Sequence, residues 1–172
     1  MFDSRPDAGE YPRLFFTRAD LPALRAKLEH PDCRATWLRL LAACEALLKP
    51  DHAPIFPRHI RASHLAFAAL MTGREDFTQA ARTRVRAALE RKAWGIGVGL
   101  ATGGCLSNVG QVYDWLYGSL GDPERQAMRT AMVDYGLRPH LEAVRRRDPD
   151  TQYYTCNGMC VINGPALMAA IL

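Results

Sequence analysis

The chain has 172 residues, of which 48% are hydrophobic and 23% charged, a balance that is typical of a folded globular protein and excludes a disordered chain. Lysine and arginine number 22 against 18 acidic residues, so the formal net charge is +4 with neutral histidines. This small excess is compatible with an anionic ligand, and without a basic stripe it predicts no nucleic-acid partner.

The N-terminal residues predict neither export nor membrane insertion. Residues 1–10 include several charged side chains and Pro6 without an apolar run, so we expect a disordered tail before a domain that spans residues 11–172. No uninterrupted apolar stretch of about 18 residues occurs, and no membrane partner is predicted. The absence of a signal sequence predicts a cytoplasmic protein; a periplasmic or secreted one is the alternative if the N-terminus is incomplete.

Caps and apolar spacing mark the first two helices. Thr17 is placed to cap the first amide groups, and Asp20 puts negative charge in the first turn, where the helix dipole favours it. An apolar stripe follows at Leu21, Leu24 and Leu28. After Pro31 a second helix, ending at Lys49, is predicted from apolar residues at helical spacing: Trp37, Leu40, Leu41, Cys44, Leu47 and Leu48.

An antiparallel helical hairpin is predicted after a proline-containing loop at residues 52–57. Residues 58–71 form an alanine-rich helix, and residues 72–76 turn the chain. The second helix of this hairpin carries an apolar face made of Phe77, Ala81, Val85, Ala88 and Leu89. Because the connector is short, we expect the two helices to pack side by side in opposite directions.

A glycine-rich loop is predicted from Gly95 to Gly104, followed by a helix pair at residues 106–120 and 123–145, with Pro139 ending or kinking the second helix. A last helix is predicted to begin near Pro165. No segment alternates with period two, so the fold class is all-α, built of antiparallel helical hairpins. Hairpins that recur about every 40–50 residues are typical of stacked or ring-shaped helical arrays. The chain stops inside an apolar helix, so we expect it to be truncated at its C-terminus.

Neither a cofactor nor a metal is predicted. The five cysteines are scattered and odd in number, which favours free thiols in a reducing compartment: Cys33, Cys44, Cys105, Cys156 and Cys160. The histidines have no metal-ligand spacing. Cys156 and Cys160 are four residues apart, but no second pair completes a tetrahedral site.

Three segments resemble the heparinase II/III-type polysaccharide lyases. Residues 11–17 (YPRLFFT), followed by 20–25 (DLPALR), are similar to the start of the toroid domain of that family. Residues 113–117 (YDWLY) are similar to a helix end of the family, and residues 157–164 (NGMCVING) are similar to its asparagine-tryptophan-asparagine segment. The resemblance implies an incomplete (α/α) toroid of helical hairpins, of which residues 11–172 form the N-terminal portion.

The resemblance also implies β-elimination on an acidic polysaccharide or oligosaccharide that contains uronic acid. It gives Asn157 the catalytic role of neutralising the substrate carboxylate, because an amide donates a hydrogen bond without a shifted pKa. Tyr153, Tyr154, Asn163 and Trp115 are the implied substrate-binding residues. The tyrosine and histidine of the proton transfers are expected beyond Leu172.

Other interpretations of the same residues stay open. Asn157-Gly158 and Asn163-Gly164 are also turn signatures, and the tyrosine pair and Trp115 are also typical of packing. Gly158 stands where the family has its tryptophan, so the alternative function is a non-catalytic carbohydrate-binding or structural toroid. The arginine run 145–147 is either a solvated face or a surface that attracts acidic polysaccharide.

Overall fold

The computed structural model describes residues 11–49, 61–95, 99–148 and 157–172, with the backbone alone for residues 157–159. The helices are α1 (Leu21–Leu28), α2 (Pro31–Leu47), α3 (Ala62–Thr72), α4 (Glu75–Glu90), α5 (Leu100–Trp115), α6 (Asp122–Ala131), α7 (Arg138–Arg145) and α8 (Asn157–Ile171). Short 3-10 helices cover Arg18–Asp20 and Tyr117–Ser119, and a π-helix covers Met132–Leu137. The described ranges are helical and contain no strand, which confirms the all-α prediction.

The predicted hairpin is formed by α3 and α4. Gly73 ends α3 in the left-handed conformation (φ 72°), where its N–H donates to the Ala69 carbonyl at 2.7 Å. This sharp end turns α4 back onto α3. Alanines fill most of the buried face of α3, so the helix lies close to its neighbours α4 and α5: Ala62, Ala66, Ala68 and Ala69.

The predicted apolar face of α2 is confirmed, and Leu40, Leu41 and Leu48 are partly buried against the core. Trp37, Cys44 and Leu47 are buried, at the spacing expected of one helix face. Thr17 is the N-cap of the first helical turn, as predicted. It pairs there with Asp20, whose Oδ2 accepts from the Thr17 hydroxyl and N–H at 2.7 and 2.8 Å.

Arginine side chains satisfy carbonyl groups that lack a partner within their own helix. Arg25 of α1 donates to the carbonyls at the end of α3, at 3.2 Å to Met71 and 2.9 Å to Leu70. Arg84 of α4 donates to the Leu47 carbonyl at the end of α2, at 3.1 Å. These carbonyls form the negative end of the helix dipole, so a guanidinium links each helix end to a neighbouring helix.

Helix α5 begins earlier than predicted, and the loop expected from Gly95 to Gly104 therefore ends at Gly99. Gly103 lies inside α5, where a β-carbon would be 2.2 Å from the Val161 carbonyl oxygen of α8. Glycine is needed here because of this close approach between two helices, rather than for a loop conformation. The predicted helix at 106–120 ends at Trp115 and continues as the 3-10 turn Tyr117–Ser119.

Pro139 does not end its helix. The chain stays helical from Asp122 to Arg145, and the π-helix Met132–Leu137 lies directly before the proline. A proline has no N–H, and its ring collides with the carbonyl four residues earlier in a regular α-helix. The wider turn, in which the Arg138 N–H donates to the Val133 carbonyl, precedes this position.

The last helix also begins earlier than predicted, at Asn157 instead of near Pro165, which lies inside α8. The turn interpretation of Asn157-Gly158 and Asn163-Gly164 is therefore wrong, since both pairs lie within a helix. Other predictions concern residues outside the described ranges: the N-terminal tail at 1–10, the loop at 52–57, Tyr153, Tyr154 and Cys156.

The contact at Gly103 generates a stability prediction. In Gly103→Ala the new methyl group meets a backbone carbonyl that cannot rotate away, so we expect the free energy of unfolding to fall by about 1–3 kcal/mol. Gly164→Ala is the matched control within α8, because nothing lies within 4 Å of its β-carbon. It should gain roughly 0.5–1 kcal/mol from helix propensity. Denaturant unfolding measures both, and changes of the same sign would contradict the close approach.

Candidate functional site

A groove of about 600 Å³ runs between α5 and α8. On one side, its described lining comes from α5 and from the segment that precedes the first helical turn (residues 11–17, the N-terminal segment): Phe15, Gly103, Gly104, Ser107, Asn108 and Gln111. On the other side it comes from α8: Cys160, Val161, Gly164, Pro165, Leu167 and Met168. None of these lining residues carries a charge, so the groove offers neutral hydrogen-bonding groups and apolar surface.

The polar side of the groove is built on α5. Asn108 is occupied by structural hydrogen bonds, because its Oδ1 accepts from the Ser63 N–H and hydroxyl at 3.1 Å and its Nδ2 donates to the Gly104 carbonyl at 2.9 Å. Gln111 Nε2 donates to Ser107 Oγ at 2.9 Å, one helical turn away. Ser107 and Gln111 therefore form a connected pair of neutral polar side chains along the groove.

Phe15 supplies an aromatic side chain to the same groove and is 61% exposed. Its backbone position is determined by the buried Asp114 at the end of α5. The Arg13 N–H donates to Asp114 Oδ1 at 2.9 Å, and the Leu14 N–H donates to Oδ2 at 3.2 Å. One carboxylate thus holds two consecutive amides, and the following residue, Phe15, lies beside the groove.

Asp114 is completely buried, so its carboxylate depends on these two hydrogen bonds. Burial raises the pKa of its carboxyl above the usual value, while the two backbone N–H donors act in the opposite direction. A buried carboxylate needs such donors, because without them its desolvation is unfavourable by several kcal/mol. Asp114 therefore orders the segment that precedes α1.

Aromatic rings complete the attachment of this segment. Tyr11 stacks on Tyr117 with ring centroids 3.7 Å apart and an interplanar angle of 8°, and the Arg13 guanidinium lies 3.7 Å from the Tyr11 centroid. The Tyr11 hydroxyl donates to the Leu172 carbonyl at 3.4 Å. The segment therefore contacts both α5 and the end of α8, the two helices that form the groove.

Asn157 is the first residue of α8. Positions 157, 160, 164 and 167 follow one another at spacings of three and four residues, which places them on one face of an α-helix. Cys160, Gly164 and Leu167 of this series line the groove. The backbone thus puts position 157 at the N-terminal end of the groove wall, where the helix dipole is positive.

Trp115 and Asn163 are brought to different surroundings. Trp115 is partly buried in a ring cluster, 5.8 Å from Phe16 and 5.6 Å from Phe67 between centroids, and its buried Nε1 has no hydrogen-bond partner among the described residues. Asn163 lies in α8 with a buried Oδ1 that also lacks a partner there, and it is not part of the described groove lining. The substrate-binding roles of both residues stay predictions, as do those of Tyr153 and Tyr154.

Phe15, Ser107 and Gln111 were not predicted from the sequence as site residues. A signal for two of them exists, because Gly103, Ser107 and Gln111 are spaced by four residues and so share one helix face. The predicted helix at 106–120 already contained Ser107 and Gln111, and only Gly103 fell in the predicted loop.

Comparison with protein-family models and with curated proteins finds no match for this chain. Within the described ranges, no cluster of three or more histidine, cysteine, aspartate or glutamate residues is arranged to hold a metal ion. The helices described there are also too short or too polar to cross a membrane.

The role of Asp114 can be tested directly by hydrogen exchange. In Asp114→Ala the Arg13 and Leu14 amides lose their acceptor, so their protection should disappear and the free energy of unfolding should fall by about 2 kcal/mol. Asp32→Ala, at an exposed aspartate of α2, is the control and should leave both amides protected. Unchanged protection in Asp114→Ala would show that the rings alone hold the segment.

Proposed function

We propose that the chain forms one wall of the substrate groove of a lyase that cleaves an acidic polysaccharide by β-elimination. The observation that carries the proposal is the position of Asn157, on the face of α8 that continues into the groove. The resemblance of residues 157–164 to the heparinase II/III-type segment supplies the chemistry.

In the proposed reaction, a base removes the proton on C5 of a uronate unit and negative charge develops on its carboxylate. The C4–C5 double bond then forms as the C4–O glycosidic bond breaks, and the leaving oxygen takes up a proton. An amide N–H from Asn157 stabilises that charge, and the positive end of the α8 dipole acts in the same direction. No tyrosine or histidine is among the described lining residues, so we assign proton abstraction to a residue outside that lining.

The composition of the groove supports a carbohydrate ligand. Phe15 offers a ring face to the C–H groups of a sugar, and Ser107 and Gln111 offer neutral donors and acceptors to its hydroxyls. Nothing lies within 4 Å of a β-carbon placed on Gly164, so a sugar ring can approach the backbone of α8 closely at that residue.

The neutral lining favours a second candidate, a carbohydrate-binding domain without elimination chemistry. The described lining contains neither a carboxylate nor a proton-abstracting tyrosine or histidine. Gly158 also occupies the place of the tryptophan of the family. The two candidates share the same groove and differ in whether product is formed.

Turnover on acidic polysaccharides tests the proposal. The product of the complete gene is incubated with alginate, heparan sulfate and chondroitin sulfate, and the unsaturated uronate is followed by its ultraviolet absorbance. We expect product from one of these substrates, and Asn157→Ala should lower kcat by roughly 10²–10³ with little change in KM. Gln126→Ala removes an exposed amide from α6, away from the groove, and should leave kcat unchanged.

Binding measured in the same samples separates the candidates. Saturable binding of a polysaccharide without ultraviolet product would support the non-catalytic alternative, and weaker binding by Phe15→Ala would place the ligand in the groove. If no acidic polysaccharide binds and no product forms, both candidates are contradicted.

A further inference from the structure

A second cavity lies away from the groove, between α4 and α6, with a volume of about 190 Å³. Val85 and Leu89 of α4 form one wall, Val112 of α5 forms the back, and Met128 of α6 faces them. Val85, Val112 and Met128 are almost completely buried, so the apolar surface that a ligand can reach belongs to Leu89, Pro123 and Ala127. An apolar cavity of about 150 Å³ holds one benzene ring, and this one is somewhat larger.

Charged groups are confined to one side of the cavity. Arg82 donates to both carboxylate oxygens of Glu124, at 3.0 and 2.8 Å, and Glu124 also accepts the Gly121 N–H at 3.1 Å. Glu124 is therefore fully engaged by Arg82 and by the start of α6. Two guanidinium groups and one carboxylate line this side, which leaves one positive charge in excess.

The excess charge belongs to Arg86. Its side chain is 60% exposed, and its Nη2 is 3.9 Å from Glu124 Oε1, beyond hydrogen-bond distance. Arg86 thus has a guanidinium fork available to a second carboxylate. The charge of Arg82, by contrast, is neutralised by Glu124, to which its Nε and Nη2 donate.

We propose that this cavity binds a small aryl carboxylate, with its ring against Leu89, Pro123 and Ala127 and its carboxylate paired with Arg86. One six-membered ring with a short acid chain matches the volume, and the excess positive charge selects an anion over a neutral or cationic ligand. The site shares no lining residue with the α5–α8 groove, so it is independent of the proposed lyase function.

Two probes of equal shape test both parts of the proposal. 3-Phenylpropanoate and 3-phenylpropanamide are titrated into the protein, and binding is followed by NMR on the methyl groups of Val85, Leu89 and Met128. We expect the acid to bind roughly fivefold more tightly than the amide, as a partly exposed charge pair allows. Both probes should shift the same methyl signals.

Variants separate the charge from the cavity. Arg86→Gln should weaken the acid to the level of the amide and leave the amide unchanged, whereas Arg129→Gln, which removes an equal charge from α6 outside the cavity, should change neither. Ala127→Trp, at an exposed position of the rim, should abolish binding of both probes. Circular dichroism melting checks that each variant is folded.

Other results would overturn the proposal. Equal affinity for acid and amide, or equal effects of Arg86→Gln and Arg129→Gln, would remove the role assigned to Arg86. Absence of saturable methyl shifts with either probe would show that the cavity is not a ligand site.

Discussion

Helices α5 and α8 approach so closely at Gly103 that the Val161 carbonyl oxygen occupies the space of a side chain. The helices touch at this point and are further apart beside it, where the groove lies. The contact therefore also determines which faces of α5 and α8 line the groove. Gly136 has a related function in the π-helix, where a β-carbon would be 2.4 Å from Leu106 Cδ2. Because large side chains are excluded at both positions, α5 is surrounded by its neighbours at short distance, and small movements of α8 would change the width of the groove.

The N-terminal segment depends on this arrangement and in turn completes it. Asp114, in the last turn of α5, is about 100 residues away in sequence from the amides of Arg13 and Leu14 that it binds. These bonds involve only the amides of Arg13 and Leu14, but they also determine that Phe15 lies at the edge of the groove. The Tyr11 contact with the Leu172 carbonyl links the same segment to α8. A single buried carboxylate thus holds the N-terminal segment in place and, through it, brings Phe15 to the candidate site.

The sequence predicted the existence of the helices well and several of their boundaries poorly, for one physical reason. Apolar spacing reports burial, so the faces of α2 and α4 were predicted at residues such as Trp37, Cys44 and Phe77, which are buried. Glycines and asparagine-glycine pairs favour turns and loops locally, and tertiary contacts can override that preference. Gly103 and the pair Asn163-Gly164 therefore lie inside helices that the local signals placed later in the chain.

The same reasoning explains which part of the candidate site was predictable. Asn157 was identified through resemblance, and its position on the groove face of α8 follows from helical spacing once the start of that helix is known. Phe15 could not be identified, since its place at the groove results from hydrogen bonds to a distant aspartate. Aromatic residues next to a predicted helix start are indistinguishable from core residues when such a long-range contact is unknown.

The net charge of +4 also gave no indication of where anions would bind. No lysine or arginine is in the described lining of the α5–α8 groove. An acidic polymer would therefore have to be recognised there through neutral donors and the dipole of α8. Beside the α4–α6 cavity, by contrast, one guanidinium is left in excess because Arg82 and Glu124 neutralise each other. Anion binding depends on the charge that is left locally unpaired after such ion pairs have formed. That charge is determined here by the helix packing that brings Arg82 and Arg86 of α4 next to Glu124 of α6.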